Sequence, residues 1–391
     1  MVSEKGRFRI LVALVLISGF SQGMLLPLIA VILEQKGISS SVNGLHATGL
    51  YIGVLLASPF MEKPLRTYGY KPIILTGGAF VFLSLFFFTL WESLWFWFML
   101  RMLIGIGDHV LHFGTQTWIT TTSEKHNRGR RMALYGLSFG LGFAMGPLMT
   151  RLIYVHPALP FLVSAILSLL IWGLLFFVRN EWPEDEDAYE VTSNSSAGRF
   201  KEAVQIAWIA LLPPFAYGFL EATLHGNFPV YGMRIGHDVE TLSLIIPAFA
   251  VGSLVTQLPL GVLSDKIGRK QVLAIVLAGG GITFFLAGVL EHSVIWLFVL
   301  FTLAGMLVGS IYSLGISYMT DMLPKTLHPA GNILCGISFS LGSITGPFLG
   351  GLFIQFVPGA SFFYLITAVI FILFVLIMIK GTNPSEISNT A

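Results

Sequence analysis

Three side chains in this chain stand where charge is expensive. Arg101, Asp108 and Glu221 each lie well inside a run of apolar residues. An ionisable group in such a run costs of order ~3 kcal/mol on membrane-insertion scales, which makes each a candidate for function. Asp108 and His112 are one helical turn apart with His109 between them, an acid and an imidazole at a spacing that lets them share and pass a proton. Glu221 stands in Gly218-Phe219-Leu220-Glu221-Ala222-Thr223, with His225 one turn further on as a second proton carrier. Arg101 opens an R-x-x-x-G-x-G run with Gly105 and Gly107, and its permanent guanidinium can bias a nearby carboxyl or hold an anionic group. The plainer reading of Arg101 is a structural tie to a polar group such as Gln22. His46, Tyr217, Asn227 and Gln257 complete the set of polar groups placed to line an internal cavity. No metal site is expected, since the donors on any one helical face are too few, and the lone Cys335 excludes an internal disulfide and a multi-cysteine cluster.

The elements that must position these groups follow from composition. Of 391 residues, 55% are hydrophobic and 11% charged, 33 are phenylalanine, and the mean hydropathy is +0.81. No soluble core absorbs that much apolar surface, whereas an apolar helix of ~20 residues crosses a bilayer. Apolar segments fall near residues 8–33, 42–61, 71–91, 93–121, 130–154, 158–178, 204–232, 240–262, 271–290, 294–320, 330–356 and 361–379. The expectation is an all-α membrane protein of twelve spanning helices. The first run continues past Pro27 to about Leu33 and reads as a mature span, not a cleaved leader. A net charge of +2 gives no reason to expect nucleic acid as a partner.

One long polar interruption, 179–201, carries Glu181, Glu184, Asp185, Glu186, Asp187 and Glu190 and reads as a linker. It divides a first bundle, 1–178, from a second, 202–380, followed by a tail, 381–391. An even helix count puts both termini on one side. That side collects Lys5, Arg7, Lys63, Arg66, Lys71, Arg128, Arg130, Arg131, Lys266, Arg269 and Lys270, against Lys36, Arg151 and Arg234 on the other, so both termini are expected in the cytoplasm of a cell membrane. Trp91, Trp95 and Trp97 fit an interfacial belt at the opposite face.

The two bundles repeat one another. Gly136-Leu-Ser-Phe-Gly-Leu-Gly142 followed by Gly146-Pro147 returns 200 residues on as Gly336-Ile-Ser-Phe-Ser-Leu-Gly342 followed by Gly346-Pro347. An offset of 199 carries Gly69 onto Gly268, Gly19-Phe20 onto Gly218-Phe219, and Gln22 onto Glu221. Between two apolar segments of the second half lies Gly261-Val262-Leu263-Ser264-Asp265-Lys266-Ile267-Gly268-Arg269-Lys270. This G-x-L-x-D-x-x-G-R-K pattern, with the duplication and twelve spans, resembles the major facilitator superfamily along nearly the whole chain. Arg128-Gly129-Arg130-Arg131-Met132 is similar to bacterial exporters of that group.

The resemblance implies two six-helix bundles that expose a midplane cavity alternately to either side, with helices one and seven lining it and Glu221 as the leading proton-coupling residue. Arg101 with its glycines resembles a helix-four motif associated with proton coupling. The glycine–proline runs, Gly142, Gly146 and Pro147 on helix five and Gly342, Gly346 and Pro347 on helix eleven, imply close packing and bends that favour rocking. In the signature loop, Gly261 and Gly268 are read as sites of close approach and a tight turn, Asp265 as an acid set against a helix N-terminus, and Arg269 as one of the bases that hold the loop on the cytoplasmic side. The first copy departs from the pattern: Arg66 stands where the acid is expected, and a charge-reversed pair of Arg66 with Asp321 is the predicted substitute. The implied function is a secondary transporter of a small molecule, a proton-coupled antiporter exporting an organic compound. It would act as a monomer in the lipid bilayer, without cofactor, nucleotide or enzymatic step. Uptake by symport or facilitation, and lipid flipping on the same fold, are the competing implications.

Overall fold

A computed structural model of the protein describes residues 3–183 and 196–381. The linker acids Glu184, Asp185, Glu186, Asp187 and Glu190 and all but the first residue of the tail lie outside the described residues. Among the described residues there is no strand, and eleven helices are long and apolar enough to cross a membrane. The pair Ser40–Phe60 and Glu62–Tyr68, bent by 60°, makes a twelfth span when taken together. In chain order the spans are α1 (Glu4–Gln35), α2 (Ser40–Phe60), α3 (Tyr70–Phe87), α4 (Leu94–Thr122), α5 (Lys125–Met145, running into a 3₁₀ stretch Gly146–Tyr154) and α6 (Leu159–Leu174). They continue with α7 (Ser196–Gly226), α8 (Val239–Ile267), α9 (Arg269–Val289), α10 (Val294–Met322), α11 (His328–Phe356) and α12 (Phe362–Lys380). The bent α2 and the two-part α10, broken at Gly309 and Ser310, are the least regular spans.

Local chemistry marks the ends. Ser3 caps α1 by accepting from the Gly6 amide at 3.2 Å, and Asp238 caps α8 by accepting from Thr241 at 2.6 Å, each satisfying an amide that the helix leaves unpaired. Gly69 and Gly268 adopt φ of +82° and +101°, so the left-handed turn needed between successive spans falls on a glycine in both halves. The span expected from 204 begins earlier, because Ser196–Lys201 is already helical; non-helical backbone angles at Ala207 separate this first piece from the apolar stretch.

The chain divides into two compact units, Met1–Lys36 with Leu45–Glu186 and Gly37–Gly44 with Asp187–Ala391. Inside the first, α1 packs on α5 and α6, α2 on α4, and α3 on α4 and α6. Inside the second, α7 packs on α11 and α12, α8 on α10, and α9 on α10 and α12. The match extends to single atoms. A methyl added to Gly105 would strike the Leu50 carbonyl oxygen, and one added to Gly305 the Phe249 carbonyl oxygen. Gly142 faces Leu16 and Phe20, while Gly342 faces Phe215 and Phe219. Residues 199 or 200 apart therefore occupy the same place in each unit. Helices can approach this closely in lipid only where the side chain between them is a hydrogen atom.

Candidate functional site

In the first unit, the Asp108 and His112 pair predicted from spacing is present, but the two do not touch directly. Ser18 of α1 stands between them. Its Oγ donates to Asp108 Oδ1 at 2.6 Å and lies 2.9 Å from His112 Nε2. On the other side of the imidazole, Nδ1 meets the Tyr135 hydroxyl of α5. Tyr135 is buried and its hydroxyl also reaches the Gln116 amide, which is exposed. Asp108 is 2% exposed; its Oδ2 has no hydrogen-bond partner, and the Gln22 side chain approaches the same carboxyl. His109 turns away from this chain, 2.9 Å from Ser58 Oγ of α2. Ser18 and Tyr135 do not stand out in the sequence, because a serine or a tyrosine within a span is common. Only the convergence of α1, α4 and α5 gives them meaning.

Arg101 lies further back on α4. Fully buried, it donates from Nη1 to His46 Nδ1 at 3.0 Å and from Nη2 to the Leu25 carbonyl oxygen at 3.2 Å, and its Nε has no partner. Gln22 is not among its hydrogen-bond partners, and no carboxylate pairs with it among the described residues. His46, expected as a cavity group, is instead a buried strut. Its Nε2–H donates to the Leu94 carbonyl oxygen at 3.1 Å, which leaves Nδ1 to accept from the arginine. Arg101 and His46 therefore tie α1, α2 and α4 together.

In the second unit, Glu221 is half-buried on α7, and no side chain among the described residues hydrogen-bonds or ion-pairs with its carboxyl. Three rings surround this level of the unit. Tyr217 lies 6.1 Å from Tyr312 and 6.2 Å from Phe339, and Tyr312 meets Phe339 edge-on at 5.4 Å. Tyr312 is also within electrostatic reach of Glu221 and of the buried Cys335. The expected His225 relay takes another form, because His225 is buried and its Nδ1 bonds the Glu221 main-chain oxygen at 2.8 Å, not the carboxyl. Asn227, also expected in the cavity, is buried and donates to the Pro347 carbonyl oxygen at 3.1 Å, a carbonyl beside the helix-eleven bend. Gln257 is exposed on α8.

The loops and bends correct the reading further. Arg66 and Asp321 each have a partner inside their own unit: Arg66 pairs with Glu62 one turn back at 3.0 Å, and Asp321 takes Arg269 Nε at 3.3 Å. Arg269 also pairs with Asp265 and donates to Ser264, so the signature loop is closed by one arginine on two acids. Gly268 makes the turn, but Gly261 is no point of close approach, since a methyl there would meet nothing within 4 Å. Of the two glycine–proline runs, the first changes winding at Gly146-Pro147 into a 3₁₀ stretch, while α11 stays α-helical through Pro347. A proline withholds one amide from its helix in both places, but only the first copy uses the release to rewind.

Comparison with known proteins adds to this geometry. The family model described as Major Facilitator Superfamily matches residues 11–246 and 204–391. An uncharacterised MFS-type transporter of Bacillus subtilis, YfkF, is 54% identical over 97% of each chain. Multidrug resistance protein 2 of the same organism is 22% identical over 89% of each. Among solved structures, the nucleoside transporter NupG superposes with a TM-score of 0.77 at 12% identity, covering 95% of this chain and 98% of its own. A bacterial homologue of the human lysosomal transporter Spinster gives 0.71 at 16% identity, covering 97% of this chain and 96% of its own. At those identities the likeness of the solved structures concerns the fold.

Proposed function

The chain belongs to the Major Facilitator Superfamily of membrane transporters, and we propose that within it the protein is a secondary active transporter, a proton-coupled antiporter that exports a small organic compound by alternating access. The observation that carries this reading is that each unit holds a carboxyl, Asp108 or Glu221, well inside a membrane span and with no cation paired to it among the described residues. The cost of charge on such a group depends on whether water reaches it. A movement that wets or dries the carboxyl therefore exchanges a proton, and cargo that competes with the proton is carried the other way.

Glu221 beside Tyr217, Tyr312 and Phe339 suits cargo with a flat apolar body that is neutral or cationic, since aromatic faces attract both apolar surface and positive charge. Arg269, closing on Asp265 and Asp321, acts as the cytoplasmic latch, and Gly69 and Gly268 give the two loops their turns. Both termini face the cytoplasm of the cell membrane, the protein acts as a monomer, and neither nucleotide nor metal enters the cycle. Export is favoured over uptake by the exporter-like Arg128–Met132 segment and by the relative named for multidrug resistance.

The test is flux in proteoliposomes under an imposed pH gradient, using a compound that raises the melting temperature of the purified protein. An antiporter moves that compound against the direction of the proton gradient. Movement of compound and proton in the same direction would establish symport, and flux indifferent to the gradient would establish facilitation.

A further inference from the structure

Tyr135, His112, Ser18 and Asp108 make an unbroken chain of hydrogen bonds across α5, α4 and α1, buried at Ser18 and Asp108 and half-buried at His112, and its hydrogens can run toward the acid or away from it. We propose that this chain is the route by which a proton reaches Asp108, with Tyr135 as its entrance and His112 and Ser18 as carriers. The inference rests on the reading of Asp108 as a protonation site in the transport cycle and adds the path.

The ordering follows from donor and acceptor capacity. An ionised carboxylate only accepts, so the Ser18 hydroxyl donates to Oδ1. The Ser18 oxygen then accepts from His112 Nε2–H, which leaves Nδ1 bare to accept from the Tyr135 hydroxyl. Every hydrogen points toward the acid. Delivery is a shift of each by one bond. A hydronium gives its proton to the Tyr135 oxygen as the original phenolic hydrogen passes to Nδ1. The hydrogen on Nε2 passes to Ser18 Oγ, and the serine hydrogen passes to Oδ1. Four bonds to hydrogen form and four break, counting that of the hydronium. The net change is one carboxylate neutralised, with tyrosine, imidazole and serine again neutral. The chain then runs in reverse: the acid donates to Ser18, Ser18 to Nε2, and Nδ1–H to Tyr135. The imidazole tautomer thus reports the protonation of Asp108.

Burial explains why such a path is needed and where it begins. Asp108 and Ser18 are closed to water, whereas His112 is half-buried and the Tyr135 hydroxyl, the outer end of the chain, lies near Gln116, which is exposed. The groups facing Asp108 are Ser18 and Gln22 from α1 and His112 from α4, with His109 tied off to Ser58 of α2. Arg101 lies about two turns back along α4 and is engaged with His46. The pseudo-equivalent positions in the second unit, Tyr217, Val308, Tyr312 and Cys335, cannot form the chain: an apolar side chain replaces the acid, and a phenol replaces the imidazole that relays through two nitrogens. The relay belongs to one unit alone.

The test uses full-length protein in lipid nanodiscs, with a flash-released caged proton as the probe. The growth of the protonated-carboxyl infrared band is followed, and the band is assigned to Asp108 by its loss in D108N. Ser18→Ala and Tyr135→Phe, each removing one hydroxyl, are expected to slow that growth by roughly tenfold or more while its final amplitude stays the same. Ser18→Thr, which keeps the hydroxyl, should restore the rate. Wild-type rates in both S18A and Y135F, with the D108N-sensitive band present, would overturn the relay and leave Asp108 as a protonation site. A slowed rate in S18A that S18T fails to restore would likewise overturn it, as the mark of a packing defect. No D108N-sensitive band in the wild type would remove the protonation reading and the relay together.

Discussion

The two units place helices in the same relation and spend the same positions on different chemistry. On the first, fourth and fifth spans of each half, Ser18, Gln22, Asp108, His112, Tyr135 and Phe139 correspond to Tyr217, Glu221, Val308, Tyr312, Cys335 and Phe339. The acid has moved from α4 in one unit to α7 in the other. One is enclosed in hydrogen bonds, the other stands beside aromatic rings without any. Two turns away, the difference repeats in structural form: the buried Arg101 held by His46 and the Leu25 carbonyl is answered by Phe301 packed at 4.6 Å from Phe228 and 5.9 Å from Phe363. Backbone packing is thus the duplicated property, fixed by glycines that face carbonyls. The side chains between those contacts are free to diverge.

Eight substitutions probe this comparison. The largest effect is expected from Phe301→Ala, which empties the aromatic knot of the second unit and should cost about 3–5 kcal/mol, read as a fall in unfolding midpoint in detergent. Its counterpart, Arg101→Met, removes the buried charge but orphans the Leu25 carbonyl and His46 Nδ1, and should cost about 1–3 kcal/mol by the same measurement. A larger loss in the first unit than in the second would reverse the assignment of which knot carries more stability. Gly105→Ala and Gly305→Ala should each cost about 1–3 kcal/mol and match one another, because both place a methyl against a facing carbonyl oxygen. Gly136→Ala and Gly336→Ala, where a methyl meets open space, should cost nothing. Unequal effects of the Gly105 and Gly305 pair would break the packing equivalence. In the loops, Arg269→Ala, which loses two acids and Ser264, should cost about 1 kcal/mol, while Arg66→Ala, which loses an exposed i,i+4 pair, should stay within about 0.5 kcal/mol.

Much of the fold was legible in the sequence because a bilayer imposes a simple rule: a span must be long, apolar and helical, and a charge within it is an exception that shows. The spacing of Gly146-Pro147 and Gly346-Pro347 likewise announces the duplication before any coordinate does. The limits have equally physical origins. Asp108 and His112 share a face of one helix, so their association could be read, but Ser18 and Tyr135 join them from other helices, and periodicity along one helix says nothing of its neighbours. His46, His225 and Asn227 were placed in the cavity as polar groups in apolar runs. Each bonds a main-chain oxygen, and His46 an arginine as well. A polar residue in a span must satisfy its hydrogen bonds somewhere, and the sequence does not say where. Arg66 has an acid of its own helix one turn away, Glu62, which the search for a distant partner overlooks.

The most direct test of the central claim, that Asp108 and Glu221 exchange protons for cargo, is proton movement in proteoliposomes enclosing a pH-sensitive dye, triggered by a compound selected by thermal shift. Wild-type protein is predicted to move protons opposite to the compound, and Asp108→Asn and Glu221→Gln are each predicted to abolish the proton signal while exchange of compound for compound persists. Undiminished proton movement in both variants would contradict the account.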